Sequence, residues 1–138
     1  MNTIRPNTLA IIKKNGKLLV QKGTESTTGE IFYRLLGGGI EFGEPSSFAL
    51  KREFMEELAV EIYNEKLLTV IENIFDYNGT KQHEITFLYE SYLKNEEIYN
   101  TSYLKIVDKS NKNAEWVNIQ QIKKGEIILY PEEAIKFL

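Results

Sequence analysis

Apolar and polar residues alternate from Thr8 to Lys14 and again from Leu18 to Lys22, and Asn15-Gly16 between them suits the positive φ values of a tight turn. The pattern predicts an antiparallel hairpin. After a polar segment, Gly23 to Glu30, a short apolar and aromatic run from Ile31 to Leu36 ends at Gly37-Gly38-Gly39, which predicts a strand entering a special loop. From Pro45 to about Ala59 the period turns helical, with proline in the first turn, where its missing N–H costs nothing. Phe48, Phe54, Met55 and Leu58 fall on one side of this helix, and Arg52, Glu53, Glu56 and Glu57 gather on the other. Glu44 stands where a capping residue is expected.

Further on, Leu67 to Tyr77 and Glu84 to Leu93 predict two long strands joined around Asn78-Gly79, and Glu115 to Ile119 predicts another short one. Pro131 to Leu138 predicts a terminal helix with Pro131 in its first turn. The lysine-rich stretch from Lys94 to Asn113 fits either a long loop or an irregular hairpin. No repeat and no linker is visible, so residues 1–138 are expected to form one domain with a mixed, hairpin-rich sheet.

Composition narrows the chemistry. The chain has no cysteine, which removes disulfides, thiolate nucleophiles and Cys-based zinc sites. The N-terminus is polar and no apolar run approaches the roughly 20 residues that span a bilayer, so a cytoplasmic location is expected, without secretion or membrane insertion. A formal charge of −3 argues against a nucleic-acid-binding surface but leaves room for a small phosphorylated ligand held by a few local cations or a metal.

The segment from Gly37 to Val60 carries the chemistry. Helical residues follow one another at about 100°, so Glu53, Glu56 and Glu57 project within one sector. Neighbouring like charges destabilise a helix by a few tenths of a kcal/mol per pair, and acids near its C-terminus also oppose the macrodipole. An arbitrary Glu-rich helix face is most often only solvated surface, but this one is in register with a glycine loop that lets backbone approach a ligand closely. A divalent ion reverses the repulsion, because magnesium prefers carboxylate and water oxygens and bridges to phosphates. Arg52 can orient a carboxylate through its planar fork or reach a phosphate, and the orienting role is favoured.

These residues resemble the signature of the Nudix hydrolase family, also called MutT-type. Gly38, Glu44, Arg52, Glu53, Phe54, Glu56, Glu57 and Val60 stand at its spacing, and Ala59 stands where the family usually has glycine. The resemblance implies an α/β/α sandwich around a mixed β-sheet, of the α+β class. It implies metal ligation by Glu53, Glu56, Glu57 and the carbonyl of Gly38, with Mg²⁺ as cofactor and Mn²⁺ able to substitute. Glu44 supports the site and is a candidate substrate contact, and Glu53 and Glu84 are both candidates for the base that activates water. The resemblance also makes a homodimer plausible.

Arg34, just before the glycines, is a candidate phosphate contact or a simple surface charge. His83, the only histidine, reads first as a polar turn residue and second as a proton carrier. Trp116, Tyr33, Tyr77, Tyr89 and Tyr92 could stack a base, but core packing is the commoner fate. The leading expectation is a metal-dependent pyrophosphohydrolase acting on a nucleoside diphosphate linked to another moiety, or on a nucleoside triphosphate, with no nucleic-acid or membrane partner. The alternative is a nucleotide-sensing module of the same fold that does not cleave. Nucleic-acid decapping would call for a basic groove that the composition does not suggest.

Overall fold

The computed structural model describes residues 2–107 and 112–138. The hairpin expected at Asn15-Gly16 forms between β2 (Lys13–Lys14) and β3 (Lys17–Thr24), with Asn15 at φ 44° and Gly16 at φ 78°. Both angles belong to the turn that matches the natural strand twist. A second turn of this kind, at Asn78 and Gly79, joins β5 (Ile62–Tyr77) to β6 (Thr80–Leu93). Both strands are longer than their sequence patterns suggested, since each borrows residues whose pairing comes only from its neighbour.

With β1 (Ile4–Ile11), β4 (Ile31–Gly39), β7 (Tyr103–Lys105), β8 (Asn113–Asn118) and β9 (Leu129–Tyr130), these strands form one sheet, nine-stranded among the described residues. Its main order is β5-β6-β1-β4-β3-β8-β7, with β2 paired to β3 and β9 to β4. β1 runs parallel to β6 and antiparallel to β4, so the sheet is mixed.

The two-residue period of the strands builds two cores, one on each face. Ala10, Ile12, Leu19 and Leu36 join Leu50, Phe54 and Leu58 of α1 (Ser46–Leu58) on one side. Ile11, Leu18, Val20 and Leu35 join Ile119 and Ile122 of α2 (Ile119–Lys123) and Ala134 of a terminal 3₁₀ turn (Glu132–Phe137) on the other. This is the α/β/α layering that was expected. Each large apolar side chain buried against α1 contributes about 1.5–3 kcal/mol, enough to seat an acidic helix that its own charges would not stabilise. Among the described residues no helix is long and apolar enough to cross a membrane.

Several local expectations need correction. On α1, Phe48 and Met55 are exposed, and Ala49 and Leu50 replace them beside Phe54 and Leu58, because the sheet meets a narrower stripe than the wheel suggested. Glu44 does not cap the helix: Pro45 occupies that position with no side-chain cap. The carboxylate of Glu44 is held instead by Arg52 and by the Glu41 N–H. Ile119 ends no strand; it opens α2, which Asn118 caps by accepting from the Gln121 N–H. The terminal helix is 3₁₀, with Pro131 at its N-cap rather than inside its first turn. The stretch from 94 to 113 holds a 3₁₀ turn (Glu96–Asn100) and β7, which pairs with β8, while its residues 108–111 lie outside the described residues.

Two backbone positions yield predictions. Gly37 has φ 153°, and a Cβ built there would overlap the carbonyl of Thr8 on β1. By contrast, a Cβ at Gly39 meets nothing. Gly37→Ala should therefore destabilise the protein by about 2–3 kcal/mol while Gly39→Ala stays within about 1 kcal/mol, as read by urea unfolding. Ala59 closes α1 in the left-handed region at φ 56°, with its N–H bonded to the carbonyls of Met55 and Phe54. Relieving that conformation in Ala59→Gly should raise stability by about 1 kcal/mol in the same assay, net of the entropy that glycine adds to the unfolded chain.

Candidate active site

The site is built where β4 ends and α1 begins. Arg52 donates through Nε to Glu44 Oε2 at 2.7 Å and through Nη2 to Glu44 Oε1 at 2.9 Å and the Gly39 carbonyl at 2.9 Å. Its Nη1 donates to Glu53 Oε1 at 2.9 Å and Glu56 Oε2 at 3.2 Å. A guanidinium has five N–H groups, and every one of them is matched. The fork thus ties the loop to the helix and has no donor left for a phosphate. Its surroundings hold the guanidinium well above the ordinary arginine range, with the Glu44 hydrogen bond the largest cause.

Glu53 reaches back to the glycine strand. A Cβ built on Gly38 would overlap its carboxylate, so only glycine lets that carboxylate lie against the backbone of β4. Together with Glu57 it forms part of the wall of a cleft of about 580 Å³, which Gly37, Gly38 and Gly39 also line. Glu56 and Glu44 do not line it: Glu56 is half exposed beside Arg52, and Glu44 spends both oxygens on the Arg52 fork. The expectation of Glu44 as a substrate contact is corrected on that ground.

Across the cleft lies a residue far away in sequence. Parallel pairing of β1 with β6 sets Glu84 opposite Arg5, and antiparallel pairing with β5 sets it opposite Asn73. Glu84 is only 5% exposed, and its ion-pair partner, Arg5 Nη2, is 3.9 Å away and mostly exposed. Beside it, Thr86 donates to Asn7 in a buried hydrogen bond. His83 points to the opposite face of the same strand from Glu84 and does not line the cleft; its Nε2 is buried without a partner among the described residues.

Arg34 lines the cleft, as do Arg5 and eight carboxylates, among them Glu25, Glu30, Asp76 and Glu132. Such an excess of negative oxygen repels a bare polyphosphate and favours one that arrives with divalent cations. The donor set suits a hard cation, since carboxylates of Glu53 and Glu57 stand beside the backbone of Gly38. Among the described residues no three acidic or histidine side chains alone form a metal cage, and Arg52 Nη1 lies between Glu53 and Glu56. Magnesium tolerates this arrangement, because it usually keeps several waters and takes only one or two carboxylates together with substrate phosphates.

Of the aromatics singled out in the sequence, only Tyr77 reaches the cleft. Tyr33 and Trp116 pack beside the cores, Tyr89 is buried with its hydroxyl 2.6 Å from Ser46 Oγ, and Tyr92 pairs with Tyr63 at the surface. Phe32, Phe75, Tyr130, Asn7, Asn73 and Thr86 line the cleft without having been singled out. The period of β4 places Phe32 on the same side as Arg34 and could have revealed it; Tyr130 carried no such signal.

The same fork sets a titration. Hydrogen bonds from Arg52 and from the Glu41 N–H lower the Glu44 carboxyl from an ordinary value of 4.5 to about 2. Because the folded value is depressed, ionised Glu44 stabilises the loop fully above pH 4.5, and that contribution is lost as pH falls toward about 2. A carbon-13 titration of the Glu44 carboxyl should give a midpoint of about 2, moving up toward 4.5 in Arg52→Met. A native midpoint already near 4.5 would show the fork to be open in solution.

Comparison with known proteins agrees with this architecture. A MutT NUDIX hydrolase from Burkholderia pseudomallei is similar in structure, with 23% identity, a TM-score of 0.64 and 86% of each chain covered. A NUDIX hydrolase from Nitrosomonas europaea aligns at 20% identity and a TM-score of 0.64, over 97% of this chain and 85% of its own. A MutT protein from Bacillus halodurans aligns at 16% identity and a TM-score of 0.65, over 96% and 79%. At these identities the neighbours establish the fold. The sequence itself matches the NUDIX domain over residues 3–136, and with that match across nearly its whole length the chain belongs to the Nudix hydrolase family.

Proposed function

We propose that this chain is a Mg²⁺-dependent pyrophosphohydrolase, able to use Mn²⁺, that cleaves a nucleoside diphosphate linked to another moiety or a nucleoside triphosphate. The observation that carries the proposal is the Glu53 carboxylate lying against Gly38, beside Glu57, on the wall of a cleft too acidic to take phosphates without cations. Glu53 and Glu57 with the Gly38 carbonyl would hold the metal, with Glu56 nearby to complete or exchange into that set. When bound, the ion neutralises phosphate oxygens and lowers the pKa of water.

The remaining work belongs to the chain. Arg52 fixes Glu53 and Glu56, so the acids do not swing apart under mutual repulsion. Arg34 and Arg5 are the cations available to phosphate oxygens that extend along the cleft. A water oxygen forms the new bond to phosphorus, the bridging P–O bond breaks, and the leaving phosphate departs with the bond's electron pair. A carboxylate takes the proton from water. Glu84 suits that role better than Glu53, because the Glu53 carboxylate is already committed to Arg52 at 2.9 Å and to the proposed metal seat, whereas Glu84 faces the cleft with Arg5, 3.9 Å away and mostly exposed, beside it.

Purified protein with Mg²⁺ should release phosphate or a nucleoside monophosphate from at least one member of a panel of nucleoside triphosphates, dinucleoside polyphosphates, ADP-ribose and nucleotide sugars. Chelation should abolish the activity, and added Mg²⁺ or Mn²⁺ should restore it. Glu57→Gln should cut kcat by about 100-fold or more while circular dichroism and thermal unfolding stay native. Near-normal turnover in that variant would remove the metal seat from the proposal, and nucleotide binding with no hydrolysis by the native protein would favour a sensing module instead.

A further inference from the structure

The cleft has a second end. Six residues up β4 from Gly38, Phe32 is buried and held edge-on by two rings, Tyr77 at 6.2 Å and Tyr130 at 5.6 Å between centroids. All three line the cleft. They come from three separate parts of the chain: Tyr77 from the end of β5, Phe32 from β4, and Tyr130 from β9, which pairs parallel with β4. The ring of Phe32 can sit there because residue 23 on the adjacent strand is glycine; a Cβ at Gly23 would press into the ring. Tyr130 is 41% exposed, so this cluster is not sealed core but a wall with aromatic surface open to the cleft.

At roughly 3.3 Å per residue, Phe32 and Gly38 lie about 20 Å apart along the strand. Inorganic pyrophosphate is far too short to touch both ends, whereas an extended nucleoside triphosphate is long enough to set its aromatic ring toward one end and its terminal phosphates toward the other. The charged groups lining the cleft near these rings include the carboxylates Glu30, Asp76, Glu132 and Glu133, which disfavour a further phosphate and accept hydrogen bonds from a neutral heterocycle. Arg34 stands between the two ends on β4.

We propose that Phe32, Tyr77 and Tyr130 form the subsite that holds the nucleobase of the substrate, an inference that rests on the pyrophosphohydrolase reading of the same cleft. Tyr77 and Tyr130 supply stacking surface, and Phe32, seated on Gly23, fixes their spacing. None of the three takes part in the chemical step.

The test is binding rather than turnover. With Mg²⁺ present, AMP should shift the ring resonances of Tyr77 and Tyr130, and imidodiphosphate, which has no base, should not. Tyr130→Ala should weaken AMP binding about tenfold, Tyr130→Phe should restore it, and imidodiphosphate affinity should stay constant through the series. Native-like AMP affinity in a folded Tyr130→Ala protein, or AMP shifts confined to Tyr63, Tyr92 or Trp116, would overturn the proposal. The two readings fail separately: AMP bound as described with no nucleotide hydrolysed sinks the enzymatic reading alone, while hydrolysis with no effect of Tyr130 sinks the subsite alone.

Discussion

Arg52 is the interaction on which the rest of the site depends. One guanidinium gathers Glu44 and the Gly39 carbonyl from the loop and Glu53 and Glu56 from the helix, so the two segments are fixed to each other by five charge-assisted hydrogen bonds. A lysine could not do this, because a point charge lacks the planar geometry that spans four partners. The fork also offsets the repulsion that would otherwise oppose folding α1 with its acids crowded together. Isolated surface ion pairs contribute little, but this network is partly buried and its geometry is bidentate at Glu44.

The glycines answer a different constraint. Gly37 is needed by β1, whose Thr8 carbonyl fills the space a side chain would take, and Gly38 is needed by Glu53. One serves the sheet and the other the site. Placed next to each other, they bring the strand backbone and a helical carboxylate within reach of a common ligand. The cleft beside them is lined by eight carboxylates and two arginines, a balance of charge that disfavours a bare polyanion.

The cleft's other walls come from pairing over long distances. Arg5, Glu84 and Asn73 stand in one row across three strands only because β1 runs parallel to β6 and β6 runs antiparallel to β5. The alternation of β6 sends His83 to one face and Glu84 to the other, which separates two neighbours that the sequence presents as a single polar pair. Phe32, Tyr77 and Tyr130 meet by the same kind of convergence, through β4, the β5–β6 hairpin and β9.

The sequence by itself determined what is local: two Asn-Gly hairpins, the helix after Pro45, the glycine strand end, and the crowding of Glu53, Glu56 and Glu57 beside Arg52. Each of these follows from backbone geometry within a few residues, and the spacing of the motif was enough to point to the family. Tertiary structure alone decided which acids face the cleft, that Glu44 is spent on Arg52, that Phe48 and Met55 stay outside the core, and that Tyr130 rather than Tyr33 or Tyr89 lines the cleft. Those outcomes depend on strand order and register, which are fixed by burial on both faces of the sheet at once. No short window of residues encodes that condition.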